Sequence, residues 1–284
     1  MAFPNVRRIL QIGSPLSSLK LLLATTFYSR PQFKALAHAL LQPFVHKGTI
    51  SVRYRCYERF YETSLRMSDL QADYLTTREL GVNDVYRLER DFMPDLIIDG
   101  GGNIGLFSLR AKAAYPSAKI VICEPLPRNI EQIRKHLDLN KVQAEILPNC
   151  LGGTRRTIPF YCRRANESSF DAADPYEKIM EIPVVLLQDA IGSSAAERIL
   201  IKLDIEGMEV EALTALVPTE RRAVWVVGEL HQLPVNRPIV ERLFRDHGWK
   251  VDYFDTGEVT SGFHACSPSA IPMLNWPARR TASL

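Results

Sequence analysis

From residue 94 onward, short apolar runs alternate with segments of helix length. The runs cover residues 96–99, 119–123, 144–147, 199–203 and 224–227, and helical patterns follow through Ala114, over 128–139 and after each of the last two runs. Such alternation predicts a doubly wound α/β sheet that is mostly parallel. Residues 251–254 and 263–266, separated by Thr256-Gly257-Glu258, are expected to close the chain as an antiparallel pair. Gly152 and Gly153 are expected to turn the chain into a hairpin at residues 157–162.

The first run ends in Asp99-Gly100-Gly101-Gly102-Asn103-Ile104-Gly105 and opens a helix. Gly100, Gly102 and Gly105 satisfy G-x-G-x-x-G, in which glycine permits a sharp turn and close approach of a ligand to the backbone. The second run leads into Glu124, 19 residues beyond Gly105. A carboxylate there can accept two hydrogen bonds from a ribose diol. NAD and S-adenosylmethionine both carry that ribose, so the pair points to adenosine binding without choosing between them. Asp99 tilts the choice: a carboxylate beside the helix N-terminus repels a pyrophosphate but welcomes an ammonium or sulfonium.

Open α/β sheets bind ligands beyond the carboxyl ends of their strands. Two later strand ends carry polar groups, Asp204-Ile205-Glu206-Gly207-Met208-Glu209 and Glu229-Leu230-His231. Charged side chains are seldom buried unpaired, so Asp204, Glu229 and His231 are expected to face a cleft. His231 is the candidate general base because imidazole titrates near neutrality; the alternative is a structural histidine bonded to Glu229. Asp204, Glu229 and His231 are also a candidate ligand set for a divalent metal. Glu206 and Glu209 equally suit the first turn of a helix.

With 284 residues, 46% hydrophobic and 24% charged, the chain falls outside the disordered, collagenous and polytopic membrane classes. A net charge of +3, with no basic stripe beside the predicted site, gives no reason to expect nucleic acid. Up to Tyr57, however, there are eight Lys or Arg residues and no acid. That segment is expected to be either a solvated basic face or a point of peripheral contact with a membrane surface or acidic partner. Residues 19–27 are apolar but too few to span a bilayer. Five cysteines without a C-x-x-C pair suit reduced thiols, and the expected compartment is cytoplasmic. Residues 36–44 read as helix, 48–57 as a strand, and Tyr54, Tyr57, Tyr61, Tyr74 and Tyr86 as packing or cleft-lining aromatics.

Leu96 to Ser108 resembles the first motif of FkbM-type S-adenosylmethionine-dependent methyltransferases, an apolar strand, D-x-G-A-N-x-G and an aromatic–Ser pair, with Gly102 where the family has alanine. Cys123-Glu124-Pro125-Leu126-Pro127 resembles its F-E-P-x-P segment, with Cys123 for phenylalanine. Lys202-Leu203-Asp204-Ile205-Glu206-Gly207-Met208-Glu209 resembles its signature K-I-D-V-E-G-x-E, and Glu229 and His231 stand where the family has E-x-H. Val184, Leu187 and Asp189 resemble the lead-in V-x-L-D-x-L, from which Gln188 and Ala190 depart. The resemblance covers residues 95–231, with weaker support to Cys266.

The resemblance implies a class I methyltransferase (Rossmann-like) fold, a seven-stranded mostly parallel sheet with the last strand antiparallel, preceded here by an N-terminal helical or mixed extension. The expected division is 1–92 as cap, 93–270 as the S-adenosylmethionine-binding domain and 271–284 as tail. The implied reaction is methyl transfer to oxygen, commonly a hydroxyl of a sugar or polyketide-type small molecule. Asp99, Gly101, Asn103 and Gly105 are expected to hold the methionine portion and the turn, Glu124 the ribose, and Asn149 the adenine. Asp204 is expected nearest the methyl, sharing the role of base or orienter with His231 and Glu229. The competing readings are an NAD-dependent oxidoreductase and a non-catalytic binding protein on the same fold.

Overall fold

The computed structural model describes residues 49–66, 69–162 and 178–274. The apolar stretch 19–27, the helix expected at 36–44, most of the basic segment and residues 275–284 lie outside them. The chain begins with a hairpin, β1 (Thr49–Cys56) and β2 (Arg59–Arg66), followed by α1 (Leu70–Thr76) and a π-helical turn, Thr77–Asn83. Then come β3 (Leu96–Gly100), α2 (Leu106–Ala114), β4 (Lys119–Cys123), α3 (Pro127–Asn140) and β5 (Glu145–Leu147). Three further strands follow, β6 (Cys150–Gly152), β7 (Arg156–Cys162) and β8 (Lys178–Leu186), with α4 (Leu187–Ile191) after them. The remaining elements are β9 (Arg198–Leu203), α5 (Glu209–Leu216), β10 (Ala223–Leu230), α6 (Leu233–Asp246), β11 (Lys250–Phe254) and β12 (Ser261–Cys266).

Seven strands form one sheet in the order β11-β12-β10-β9-β3-β4-β5. Only β12 runs against its neighbours, so the last strand is the antiparallel one, as the sequence implies. β3 and β9 are buried along nearly their whole length, and alternate residues enter opposite cores. Ile98, Ile201 and Val226 meet α5 and α6 on one face, while Ile97, Leu200 and Trp225 meet α2 and α3 on the other. Burial on both faces is why these strands read as unbroken apolar runs. From β3 the chain proceeds outward to β4 and β5, then returns to the other side of β3 with β9. That reversal leaves a crevice above the carboxyl ends of β3 and β9, where such sheets bind ligands.

The expected strand at 157–162 is present as β7, but its antiparallel partner is β8, which lies between β7 and β6. β8 is hard to see in sequence because Pro183 interrupts it. Proline cannot donate to a ladder. It is accommodated because β6 pairs only from Val184 onward, leaving Pro183 beyond that ladder.

The β1–β2 hairpin docks on α3 through buried polar contacts. The Ser64 amide donates to His136 Nε2 at 3.0 Å, and His136 Nδ1 donates to the Ile104 carbonyl at 2.7 Å. Burial holds His136 below the usual imidazole range, consistent with this neutral tautomer. Tyr54, Tyr61 and Tyr86 are buried, and Tyr57 and Tyr74 partly so. Among the described residues, no helix is long and apolar enough to cross a membrane. Cys56, Cys123, Cys150 and Cys266 are buried and form no disulfide among the described residues.

Candidate active site

The glycine loop closes directly over β9. Gly101 has φ of +75°, and a Cβ there would lie 1.9 Å from the Asp204 carbonyl oxygen, so only glycine fits. At Gly102 a Cβ would lie 2.3 Å from Ile122 Cγ2. The family's alanine is therefore not accommodated unless Ile122 moves. Asp99 supports this loop from behind, fully buried and outside the cleft lining. Ser108 Oγ donates to its Oδ2 at 2.7 Å, and Lys202 Nζ stands 3.6 Å from its Oδ1. Burial raises the Asp99 carboxyl above its ordinary range, against the pull of Lys202 and Ser108.

Lys202 thus faces the Asp99 charge from within the protein, while Asp99 Oδ1 has no hydrogen-bond partner among the described residues. Lys202 Nζ also donates to the Gly101 carbonyl at 2.6 Å and lies 3.7 Å from Asp204 Oδ2. Gly105 likewise stands outside the cleft lining and caps the start of α2.

A cleft with a cavity volume of about 100 Å³ opens above the loop, lined among others by Gly101, Asn103, Glu124, Asn149, Phe160 and Asp204. Glu124 is buried and accepts from the Asn103 amide at 2.8 Å, the Leu126 amide at 3.0 Å and Asn129 Nδ2 at 3.2 Å. Burial pushes it up to about 7 in spite of these donors. A carboxylate offers about four lone-pair positions. With three filled, one remains on Oε2, fewer than the two expected for a diol. The side-chain oxygens of Asn103 and Asn149 are buried without a partner among the described residues. Buried acceptors of this kind normally find a donor, so the cleft offers a ligand three acceptors within one lining.

At the other end of the cleft, Asp204 Oδ2 accepts from the Tyr86 hydroxyl at 2.9 Å. His231 is bonded to Glu209 rather than Glu229, with Nδ1 3.0 Å from Oε1. Glu209 is fully buried, and the same oxygen accepts from the amides of Ile205 and Gly207. Its task is to hold the loop and the imidazole, not merely to start α5. Burial opposes a charge on His231, but the Glu209 hydrogen bond and the Asp204 and Glu206 carboxylates outweigh it and raise the ring to about 9. His231 is thus the conjugate acid at neutral pH, which corrects its reading as a ready general base. Desolvation, then Asp204, pushes Glu206 up to about 7, although 44% of its side chain stays exposed and is screened by water.

Glu229 is half-buried near the end of β10, close enough to act electrostatically on Tyr86 and Glu206. Among the described residues, the set that could hold a metal is Asp204, Glu206 and His231, with Glu206 in place of the expected Glu229.

The seven-stranded sheet with its antiparallel last strand reproduces the fold that the sequence resemblance implies. The Methyltransferase FkbM domain matches residues 99–251. The chain belongs to the FkbM methyltransferase family. It is similar to Methyltransferase 1 of Beauveria bassiana (strain ARSEF 2860), with 29% identity over 143 residues, 42% of this chain and 57% of that protein. The match therefore spans little more than half the length of that relative. Methyltransferase sdnD of Sordaria araneosa is 25% identical over 221 residues, covering 65% of this chain and 85% of the relative. Among solved structures, Methyltransferase FkbM from Methylobacillus flagellatus KT is 14% identical with a TM-score of 0.42, covering 70% of this chain and 53% of that one. M. jannaschii TYW2 in complex with AdoMet is 11% identical with a TM-score of 0.42, covering 78% and 86%.

Several residues around the cleft of this FkbM-family chain escape a motif reading. Tyr86 comes from the N-terminal region. Arg66 spans Asp73 at 2.7 Å and Asn129 Oδ1 at 3.1 Å, and Asn129 in turn reaches Glu124. Lys202 was visible as the first letter of the signature, but its contacts with both loops depend on the pairing of β3 with β9.

Proposed function

We propose that this FkbM-family enzyme uses S-adenosylmethionine to methylate a hydroxyl of a small molecule or glycan, such as a sugar or polyketide-type compound. The observation that carries the reading is a single cleft with two differently equipped ends. At one end, Glu124 Oε2 and the unpartnered oxygens of Asn103 and Asn149 are acceptors suited to the hydroxyl and amino hydrogens of an adenosine. At the other, Asp204 keeps Oδ1 available while Tyr86 holds Oδ2, with Glu206 beside it on the cleft lining.

The cofactor, when bound, supplies a methyl group on a sulfonium. Asp204 accepts the hydrogen bond of the incoming hydroxyl and aims its oxygen. Orientation of this kind alone is worth about 7–11 kcal/mol. Asp204 is also the better placed group to receive the hydroxyl proton, because His231 already carries one at neutral pH. Glu229 and His231 then serve as charged neighbours that shape the acceptor end.

The test is methyl transfer from labelled S-adenosylmethionine to a panel of sugars, glycosides and polyketide alcohols, beside matched amines. Label in hydroxyl acceptors, lost in Asp204→Asn, supports the reading. Label confined to amines contradicts it.

A further inference from the structure

We propose that Asp204, Glu206 and His231 form a divalent-cation site at the mouth of the cleft. One ligand atom from each lies within 4.8 Å of the others, and His231 Nε2 is 3.7 Å from Glu206 Oε2. The donors come from two loops, after β9 and after β10, which parallel pairing of Leu203 with Gly228 brings side by side.

Two further observations point to a cation. The imidazole is oriented from behind, because the fully buried Glu209 holds Nδ1 and leaves Nε2 facing Glu206. A metal-binding histidine almost always has its second nitrogen held by such a carboxylate or carbonyl. In addition, Glu209 Oε2 is buried with no hydrogen-bond partner among the described residues, and Asp204, Glu206 and Glu229 crowd the same region. The nearby Lys202 is shared between Asp99 and Asp204.

Two carboxylate oxygens and one imidazole, which releases its Nε2 proton to solvent on coordination, suit a hard or borderline ion such as Mn²⁺ or Mg²⁺ rather than a thiophilic one. Open coordination positions would take water or an acceptor hydroxyl, whose acidity the cation raises. That role rests on the methyl-transfer reading; the binding of the ion does not.

The experiment is titration of the full chain with Mn²⁺, without cofactor or acceptor, following the free-ion electron paramagnetic resonance signal. One equivalent is expected to disappear into the protein. Glu206→Gln, at an exposed position that leaves the core intact, is expected to weaken binding about tenfold or more. Glu209→Gln is expected to weaken it about 10- to 100-fold through the histidine. Glu241→Gln on α6 serves as a control and should match the wild type. A full free-ion signal through millimolar Mn²⁺, or a Glu206→Gln titration like that of the wild type, overturns the proposal. Failure of methyl transfer alone leaves this titration unaffected, so the two readings fail separately.

Discussion

Tyr86 and Asp204 are 118 positions apart in sequence, and the Tyr86 hydroxyl donates to Asp204 Oδ2 at 2.9 Å. The tyrosine is fixed at three points. Its ring meets Phe107 edge-on, its carbonyl accepts from His264 Nε2 at 2.8 Å, and its hydroxyl ends on the carboxylate. A residue from the region before β3 thus sets the carboxylate at the acceptor end. Tyr86→Phe keeps the packing and removes one hydrogen bond to a charged group, worth about 1.5–3 kcal/mol. Turnover is expected to fall roughly 10- to 100-fold with S-adenosylhomocysteine affinity unchanged, measured by kinetics and calorimetry on the same variant. An equal loss of both would show that Tyr86 acts on the fold instead.

Glu124 gives a pH dependence with a defined sign. Burial raises it from an ordinary carboxylate to about 7. Its contribution to stability without ligand is present below the unfolded-state value and is lost as pH rises through about 7. A ribose hydroxyl prefers the ionised carboxylate as acceptor, so cofactor binding expels the proton. Affinity for S-adenosylhomocysteine should rise between pH 5.5 and 7 and level off above, and Glu124→Gln should flatten the profile. A wild-type profile that is flat over this range contradicts the assignment.

Gly101→Ala places a methyl group against the Asp204 carbonyl at a residue with φ of +75°. The left-handed conformation alone costs about 1–2 kcal/mol, and the clash is with backbone that cannot rotate away. The variant should melt at a lower temperature and lose cofactor binding, because both loops of the cleft must separate. Wild-type melting and binding would mean that the loop is pliable.

Arg66→Met removes the partner of Asp73, a carboxylate with no exposed side-chain surface. Breaking such a pair costs about 3–5 kcal/mol. Urea unfolding should show this loss, and replacing both Arg66 and Asp73 with apolar residues should recover part of it. Cofactor affinity should drop in the single variant, since Asn129 loses the guanidinium that steadies it against Glu124. Unaltered affinity would show that Asn129 is held well enough without Arg66.

The parallel sheet was legible because its strands are buried on both faces and so write continuous apolar runs. The glycine loop was legible for a related reason: a sharp turn with no room for a Cβ needs glycine, and that need leaves fixed letters. The acceptor end was less so. His231 has two acids within sequence reach, Glu229 and Glu209, and only the β9–β10 register shows that Glu209 takes it. Asp99 looked like a ligand contact because its position in the motif is clear, whereas its burial beneath Lys202 is a product of packing. β8 was concealed by Pro183, and the Arg66–Asn129–Glu124 relay has no spacing that marks it.

The central claim is that the cleft beside Gly101 and Glu124 is a site for S-adenosylmethionine. Its most direct test is calorimetric titration of the purified chain with S-adenosylhomocysteine, and with NAD⁺ in parallel. One equivalent of S-adenosylhomocysteine is expected to bind, with binding abolished in Glu124→Ala and no heat from NAD⁺. Binding of NAD⁺ alone, or S-adenosylhomocysteine binding that survives Glu124→Ala intact, would contradict it.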